Sequence, residues 1–250
     1  MMKNSERRKH ERAHGKLLSL RNPIEIWGWG TPAGQLRAQR RAALIIEGAH
    51  LAPGLFALEI GCGTGMFSEM FLASGARLLA VDISYDLLEQ ARARNSTAGQ
   101  IKFLEMPFED CQENGPFDAV IGSSVLHHLD VNFALQKIYT MLKPGGYMCF
   151  AEPNMLNPQV FIERKLAFLR GWFWYVSPDE TAFWRWPIHN LLERSGFTEI
   201  EITPFDWLHP RTPPAWIDAV QKLGKMMEKI PILREIAGSL MIRGCRPISE

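Results

Sequence analysis

The chain has 250 residues, 46% hydrophobic and 22% charged. This is ordinary globular usage, which excludes a wholly disordered chain and allows a core without a disulfide or metal staple. Lys and Arg number 28 against 27 Asp and Glu, a net charge of +1, so the basic surplus of a dedicated nucleic-acid binder is missing. Cys62, Cys111, Cys149 and Cys245 lie far apart with no Cys-x-x-Cys, and are expected as free thiols in a reducing compartment. No run approaches the roughly 18 apolar residues of a membrane span, and Met1 to Ser19 has no signal-peptide core, so a cytoplasmic chain is expected.

Met1 to Arg21 carries seven Lys or Arg and two Glu. This basic arm reads as frayed and solvated, with contact to anionic lipid or an acidic partner as the alternative. Residues 1–30, which include Trp27-Gly28-Trp29-Gly30, form an arm able to cover a pocket, and 31–250 form the main domain. Thr31 can cap a helix with Pro32 in its first turn, running to about His50. Five short apolar runs then read as strands: Leu55–Ile60, Arg77–Asp82, Gln100–Leu104, Phe117–Gly122 and Tyr147–Ala151. Helices alternate with them, one from the glycine turn at Gly61–Gly65 to about Ser74, one capped by Ser84, and one over Val131–Leu142. Such alternation predicts an α/β fold with a doubly wound parallel sheet, whose ligands sit beyond the carboxyl ends of the strands.

After Glu152 the texture changes, with aromatic and proline-rich stretches at about 154–186 and 205–237 that read as lid insertions. A helix (Pro187–Ser195), a strand (Thr198–Pro204), a helix near Ala215–Lys229 and a last strand (Ser239–Cys245) complete the domain. Two apolar stripes, Ile162, Leu166, Leu169, Phe173 and Trp216, Val220, Leu223, Met227, Ile230, are expected to face the core. The alternatives are a substrate tunnel or contact with a membrane surface.

The stretch Leu58-Glu59-Ile60-Gly61-Cys62-Gly63-Thr64-Gly65 follows a predicted strand and opens a helix. Asp82 ends the next strand, 23 residues after Glu59, where a carboxylate can grip a ribose diol. The ligand therefore contains a nucleoside. Met66 stands where a dinucleotide fingerprint needs its third glycine, which disfavours NAD. Glu59 beside the loop opposes a pyrophosphate and favours a cationic ligand, as S-adenosylmethionine is.

On these residues the chain resembles the class I S-adenosylmethionine-dependent methyltransferases, in their small-molecule group. Leu58–Gly65, Val81-Asp82-Ile83, Phe117-Asp118-Ala119-Val120 through Ser124-Val125-Leu126-His127-His128-Leu129, and Leu142-Lys143-Pro144-Gly145-Gly146 look like successive family motifs. The resemblance implies a Rossmann-like seven-stranded sheet with the last strand antiparallel, and cofactor contacts from Gly61, Gly63, Gly65, Asp82 and Ile83. Glu59, Cys62 and Ser123 join the candidate set. The family often has an Asp-Ala pair after strand three; here Met106-Pro107-Phe108-Glu109-Asp110 stands instead. Adenine recognition then rests on Pro107, Phe108 or Glu109, with solvated loop charges as the alternative for Glu109 and Asp110.

His127 and His128, just past strand four, are the candidate catalytic residues, either as a general base or as hydrogen-bonded structural histidines. Being adjacent, they lack metal-ligand spacing, and no metal is expected. The reading is a methyltransferase acting on a small molecule, hydrophobic or lipid-linked, such as a quinone precursor or polyprenyl-linked glycan, without a nucleic-acid partner and with peripheral membrane contact allowed. The alternatives are a protein or nucleic-acid methyltransferase and a non-catalytic adenosyl-ligand scaffold.

Overall fold

A computed structural model of the chain describes residues 2–95, 99–112, 115–165 and 182–248. Seven strands, β1 (Phe56–Ile60), β2 (Arg77–Asp82), β3 (Ile101–Glu105), β4 (Phe117–Ser123), β5 (Leu142–Pro153), β6 (Thr198–Phe205) and β7 (Ser239–Cys245), form one sheet in the order β3-β2-β1-β4-β5-β7-β6. Strands β1 to β5 pair in parallel, and β7 runs antiparallel to both β5 and β6. The fold is thus the expected Rossmann-like α/β sheet. The chain winds outward from β1 to β3, then returns to β4 beside β1, and that reversal opens a crevice at the strands' carboxyl ends.

Side chains alternate between two cores along each strand. Leu58, Ile60, Val120, Phe150 and Ile242 face one, with Leu135 and Ile138 of α6 (Val131–Met141) and Leu192 of α8 (Arg185–Arg194). Ala57, Leu78, Ile121 and Cys149 face the other, under Ile45 of α3 (Pro32–Gly48) and Phe71 of α4 (Met66–Leu72). Each fully buried Leu, Ile or Phe contributes about 1.5–3 kcal/mol. The central strands are therefore a rigid floor for whatever sits at their ends. The α3 start is as the sequence predicts: Thr31 accepts from Gly34 N at 3.0 Å, with Pro32 at the first position. The Ser84 side chain, in contrast, makes no cap bond to α5 (Tyr85–Arg94).

Three elements depart from the expectations. The basic arm is not frayed: Met2–Ser19 forms helix α1, Leu18 is buried, and Gly15 lies close against Ser84 at the start of α5. A four-residue turn of helix, α2 (Pro23–Ile26), then carries Trp27 back toward the glycine loop. Strand β5 begins at Leu142, not Tyr147, because Leu142 pairs with Phe117 and Lys143 to Gly146 form an irregularity before Tyr147 pairs with Ala119.

The second insertion forms α9 (Ile217–Met227) and α10 (Pro231–Arg234). The core-facing stripe expected there is rotated. Ile217 and Gly224 are the buried positions, Gly224 lying against Trp207, while Trp216 is 64% and Leu223 56% exposed. In the first insertion, α7 (Pro158–Lys165) is described, with Ile162 exposed. Leu166, Leu169 and Phe173 of its stripe lie outside the described residues.

Candidate functional site

β1 ends in the glycine turn, where Gly61, Gly63 and Gly65 hold φ of +67°, +51° and +72°. A side chain in that left-handed region costs roughly 1–2 kcal/mol. The three have different neighbours. A Cβ on Gly61 would meet Val125 Cγ2 at 2.3 Å, and one on Gly65 would meet Asn95 Nδ2 at 2.5 Å. One on Gly63 finds only the Trp27 ring, 3.7 Å away. Gly61 and Gly65 are therefore glycine for close packing, and Gly63 leaves space above the loop.

Asp82 is tied to this loop. Gly63 N donates to Asp82 Oδ2 at 2.8 Å and Ser84 N to Oδ1 at 2.8 Å. Each oxygen keeps further lone-pair capacity for a diol. Burial pushes the Asp82 carboxyl above its ordinary range, against the opposing pull of the Ser84 and Gly63 N–H groups.

Above the loop lies a cavity of about 1010 Å³, large enough for a nucleoside ligand and a second small molecule. Gly61, Cys62, Gly63, Asp82, Ile83, Pro107, Phe108, Glu109, Ser123, His127 and His128 all line it. Of the candidates from the sequence, Glu59 and Gly65 do not. Glu59 is corrected most. It shares the Ala57 face of β1, under α4, where Ser68 Oγ donates to its Oε2 at 2.6 Å. Burial pushes its carboxyl up to about 8, so at neutral pH it keeps its proton and presents no negative charge to a ligand. The Cys62 thiol is likewise pushed well up by burial, which favours the protonated thiol over the thiolate.

Glu109 and Asp110 are engaged by α1. Asp110 takes two bonds from Arg8, each 2.9 Å, and Glu109 lies 3.5 Å from Arg7. His128 Nδ1 sits 3.0 Å from Glu11 of the same helix. Helix α1 thus closes the cavity on the Asp82 side, and Trp27 and Trp29 line it beside the loop.

His127 is 4% exposed, its ring 4.3 Å from that of His128. Its Nδ1 lies 2.6 Å from Glu152 Oε2, at the end of β5. Glu152 Oε1 accepts from Val125 N at 3.0 Å and Leu126 N at 2.9 Å. Burial alone would raise the Glu152 carboxyl; His127 and the two N–H donors outweigh it and hold the carboxyl below its ordinary range.

Sequence reasoning missed Glu152 and Arg41. Arg41 of α3 lines the cavity, buried at 3% exposure, and donates to Ser124 Oγ at 3.0 Å and Ser239 Oγ at 2.5 Å. Among the described residues its Nε has no hydrogen-bond partner. The neighbouring carboxylate, Asp206, is 3.8 Å away and is held by Arg37 through three contacts of 2.6 to 3.0 Å. Burial pushes the Arg41 guanidinium down to about 10, still charged at neutral pH. Among the described residues, no group of three His, Cys, Asp or Glu side chains is placed to hold a metal ion.

A methyltransferase-domain family model matches residues 58–150, which hold the glycine loop, Asp82 and both histidines. A ubiquinone biosynthesis O-methyltransferase of Xanthomonas axonopodis pv. citri is 30% identical over 150 residues, covering 58% of this chain and 62% of that protein. The chain thus matches less than two thirds of that relative's length. Its counterpart in Xanthomonas campestris pv. campestris (strain B100) is 29% identical over 192 residues, 70% of this chain and 78% of the relative. Among solved structures, the N-methyltransferase NodS from Bradyrhizobium japonicum WM9, in complex with S-adenosyl-L-homocysteine, shares the fold. Its TM-score is 0.63 at 17% identity, covering 95% of this chain and 99% of that one. The glycine loop with Asp82 beside it and the seven-stranded sheet agree with these likenesses: residues 58–150 are similar to a methyltransferase domain, and the fold is the one seen in NodS.

Proposed function

We propose that the chain methylates an oxygen of a small, apolar or lipid-linked acceptor, such as a quinone precursor or a polyprenyl-linked glycan. The Asp82 carboxylate at the cavity wall, next to the open space over Gly63, carries the cofactor part of this reading, and the likeness to ubiquinone biosynthesis O-methyltransferases supports the acceptor. Bound S-adenosylmethionine supplies a methyl group already activated on a sulfonium. Asp82 would accept from its ribose hydroxyls, and Phe108 or Glu109 would meet the adenine. Arg41, a buried cation with an N–H to spare, takes the methionine carboxylate. These residues fit that cofactor in charge and all line the cavity.

The chain's part in the transfer is placement and exclusion of water, which can supply much of the rate for in-line displacement. An oxygen acceptor also needs its proton removed, and His127 at the cavity wall is the base. His127→Ala then lowers turnover by about 100-fold or more; a rate near wild type at saturating acceptor excludes the role.

An apolar acceptor also has to reach the cavity. The α9–α10 region exposes Trp216, Leu223, Met226, Ile230 and Ile232, flanked by Lys222, Lys225 and Lys229. No helix among the described residues is long and apolar enough to cross a membrane. An amphipathic surface of this composition suits the plane of an anionic bilayer. Arg7 and Arg8, already engaged by Glu109 and Asp110, are not the lipid-facing group. Co-sedimentation with phosphatidylserine vesicles at low salt, lost in Trp216→Ala/Leu223→Ala, supports this orientation; no binding excludes it.

Two assays test the whole proposal. Calorimetry should give binding of S-adenosylmethionine and S-adenosylhomocysteine and none of NAD. Labelled methyl should move from S-adenosylmethionine onto the apolar fraction of a metabolite extract. Binding without transfer to any fraction leaves a non-catalytic scaffold instead.

A further inference from the structure

Glu152 is a fully buried carboxylate beside the reacting region, and the steps above give it no part. An ionised carboxylate only accepts hydrogen bonds. Two backbone N–H groups, of Val125 and Leu126, donate to Oε1 and hold it in that form, with the His127 ring 2.6 Å from Oε2. The 2.6 Å contact is then an N–H donated by Nδ1 to a carboxylate, in the short range of charge-assisted bonds. The donors on Oε1 come from Val125 and Leu126, the residues that lead into the 3-10 turn carrying His127. One side chain, reaching from the end of β5 to the end of β4, therefore fixes both the turn and the ring.

We propose that Glu152 is a positioning residue that locks His127 with its proton on Nδ1, making Nε2 the basic nitrogen for the acceptor. The use of Nε2 rests on the oxygen-methylation reading; the lock on the tautomer does not. In the step, the acceptor O–H bond breaks and its proton joins Nε2. The O–CH₃ bond forms as the S–CH₃ bond breaks, and the positive charge passes from sulfur to the imidazolium. Glu152 stands 2.6 Å from that ring and stabilises the new charge. The proton later leaves to water, which restores the neutral ring.

Glu152→Gln separates this role from a merely structural one. The Gln carbonyl can still accept from Val125 N and Leu126 N, but its NH₂ offers a proton to Nδ1 and turns the ring to the Nε2–H form. The full chain, labelled with nitrogen-15 and saturated with S-adenosylhomocysteine, reports the His127 tautomer through its long-range proton–nitrogen spectrum, assigned with His127→Gln. Wild type and Glu152→Asp should show Nδ1–H, and Glu152→Gln should show Nε2–H at unchanged S-adenosylhomocysteine affinity. With catechol as the acceptor probe, Glu152→Gln should lose on the order of 10³–10⁴ in kcat, the size of a wrong-tautomer defect in a His–carboxylate pair, and Glu152→Asp should recover most of it.

An Nε2–H ring in wild type overturns the proposal, as does the same tautomer in wild type and Glu152→Gln. If Glu152→Gln does not fold, the wild-type and Glu152→Asp spectra still decide it. Full turnover in His127→Ala, with the tautomers as expected, removes the base reading alone.

Discussion

Replacing Glu59 by Gln isolates one buried proton. The Glu59 carboxyl holds its proton up to about pH 8 in the fold, and to about 4.5 where it is unperturbed. Between those values the folded state binds a proton that the unfolded chain has released, so stability falls as pH rises. The group's contribution is fully present below about 4.5 and is lost as pH passes through about 8. Within the window the loss is at most about 1.4 kcal/mol per pH step. Between pH 5.5 and 7.5 wild type should therefore lose about 2–3 kcal/mol from this residue. Gln keeps the acceptor for Ser68 and has no proton to lose. Urea unfolding of both proteins across that range should show Glu59→Gln gaining on wild type by about 2–3 kcal/mol as pH rises. Its S-adenosylhomocysteine affinity at pH 7 should be unchanged, because a protonated Glu59 presents no charge. Parallel stability curves would refute the buried-proton argument.

The two loop glycines should fail in different ways. Gly61→Ala carries the left-handed cost of roughly 1–2 kcal/mol plus overpacking of about 1–3 kcal/mol against Val125, read as a lower unfolding midpoint. Gly63→Ala should show only the backbone cost, yet weaken S-adenosylhomocysteine by at least about tenfold, because its new methyl enters the open space over the loop. Arg41→Lys should weaken S-adenosylhomocysteine by about 10- to 100-fold, the worth of one charged hydrogen bond. Binding of 5′-methylthioadenosine, which lacks the amino-acid end, should stay unchanged; equal losses for both ligands contradict the assignment of Arg41 to the carboxylate.

What could be read from the sequence was local. The buried strands are short apolar runs between turn residues, and the loop lies within eight consecutive residues, Leu58 to Gly65. Asp82 follows at the end of the next such run. The misreadings come from pairings distant in the chain. Glu152 meets His127 across 25 residues and Arg41 meets Ser239 across 198, with no spacing signal for either. The face that α9 turns inward has Gly224 against Trp207, a contact that hydrophobic periodicity does not contain. Glu59 looked charged because a carboxylate in a continuous apolar run gives no hint that burial under α4 will protonate it. Helix α1 looked frayed because its surplus of positive charge finds its partners, Glu109 and Asp110, about a hundred residues downstream.

The grip of Asp82 on a ribose is tested most directly by a two-by-two calorimetric cycle. Wild type and Asp82→Asn are each titrated with S-adenosylhomocysteine and with its 3′-deoxy analogue. Hydrogen bonds to a carboxylate are worth about 1.5–3 kcal/mol each. Wild type should therefore bind the deoxy compound at least about tenfold more weakly, while Asp82→Asn should bind the two alike. Equal affinity of wild type for both ligands, or the same deoxy penalty in both proteins, would contradict the account.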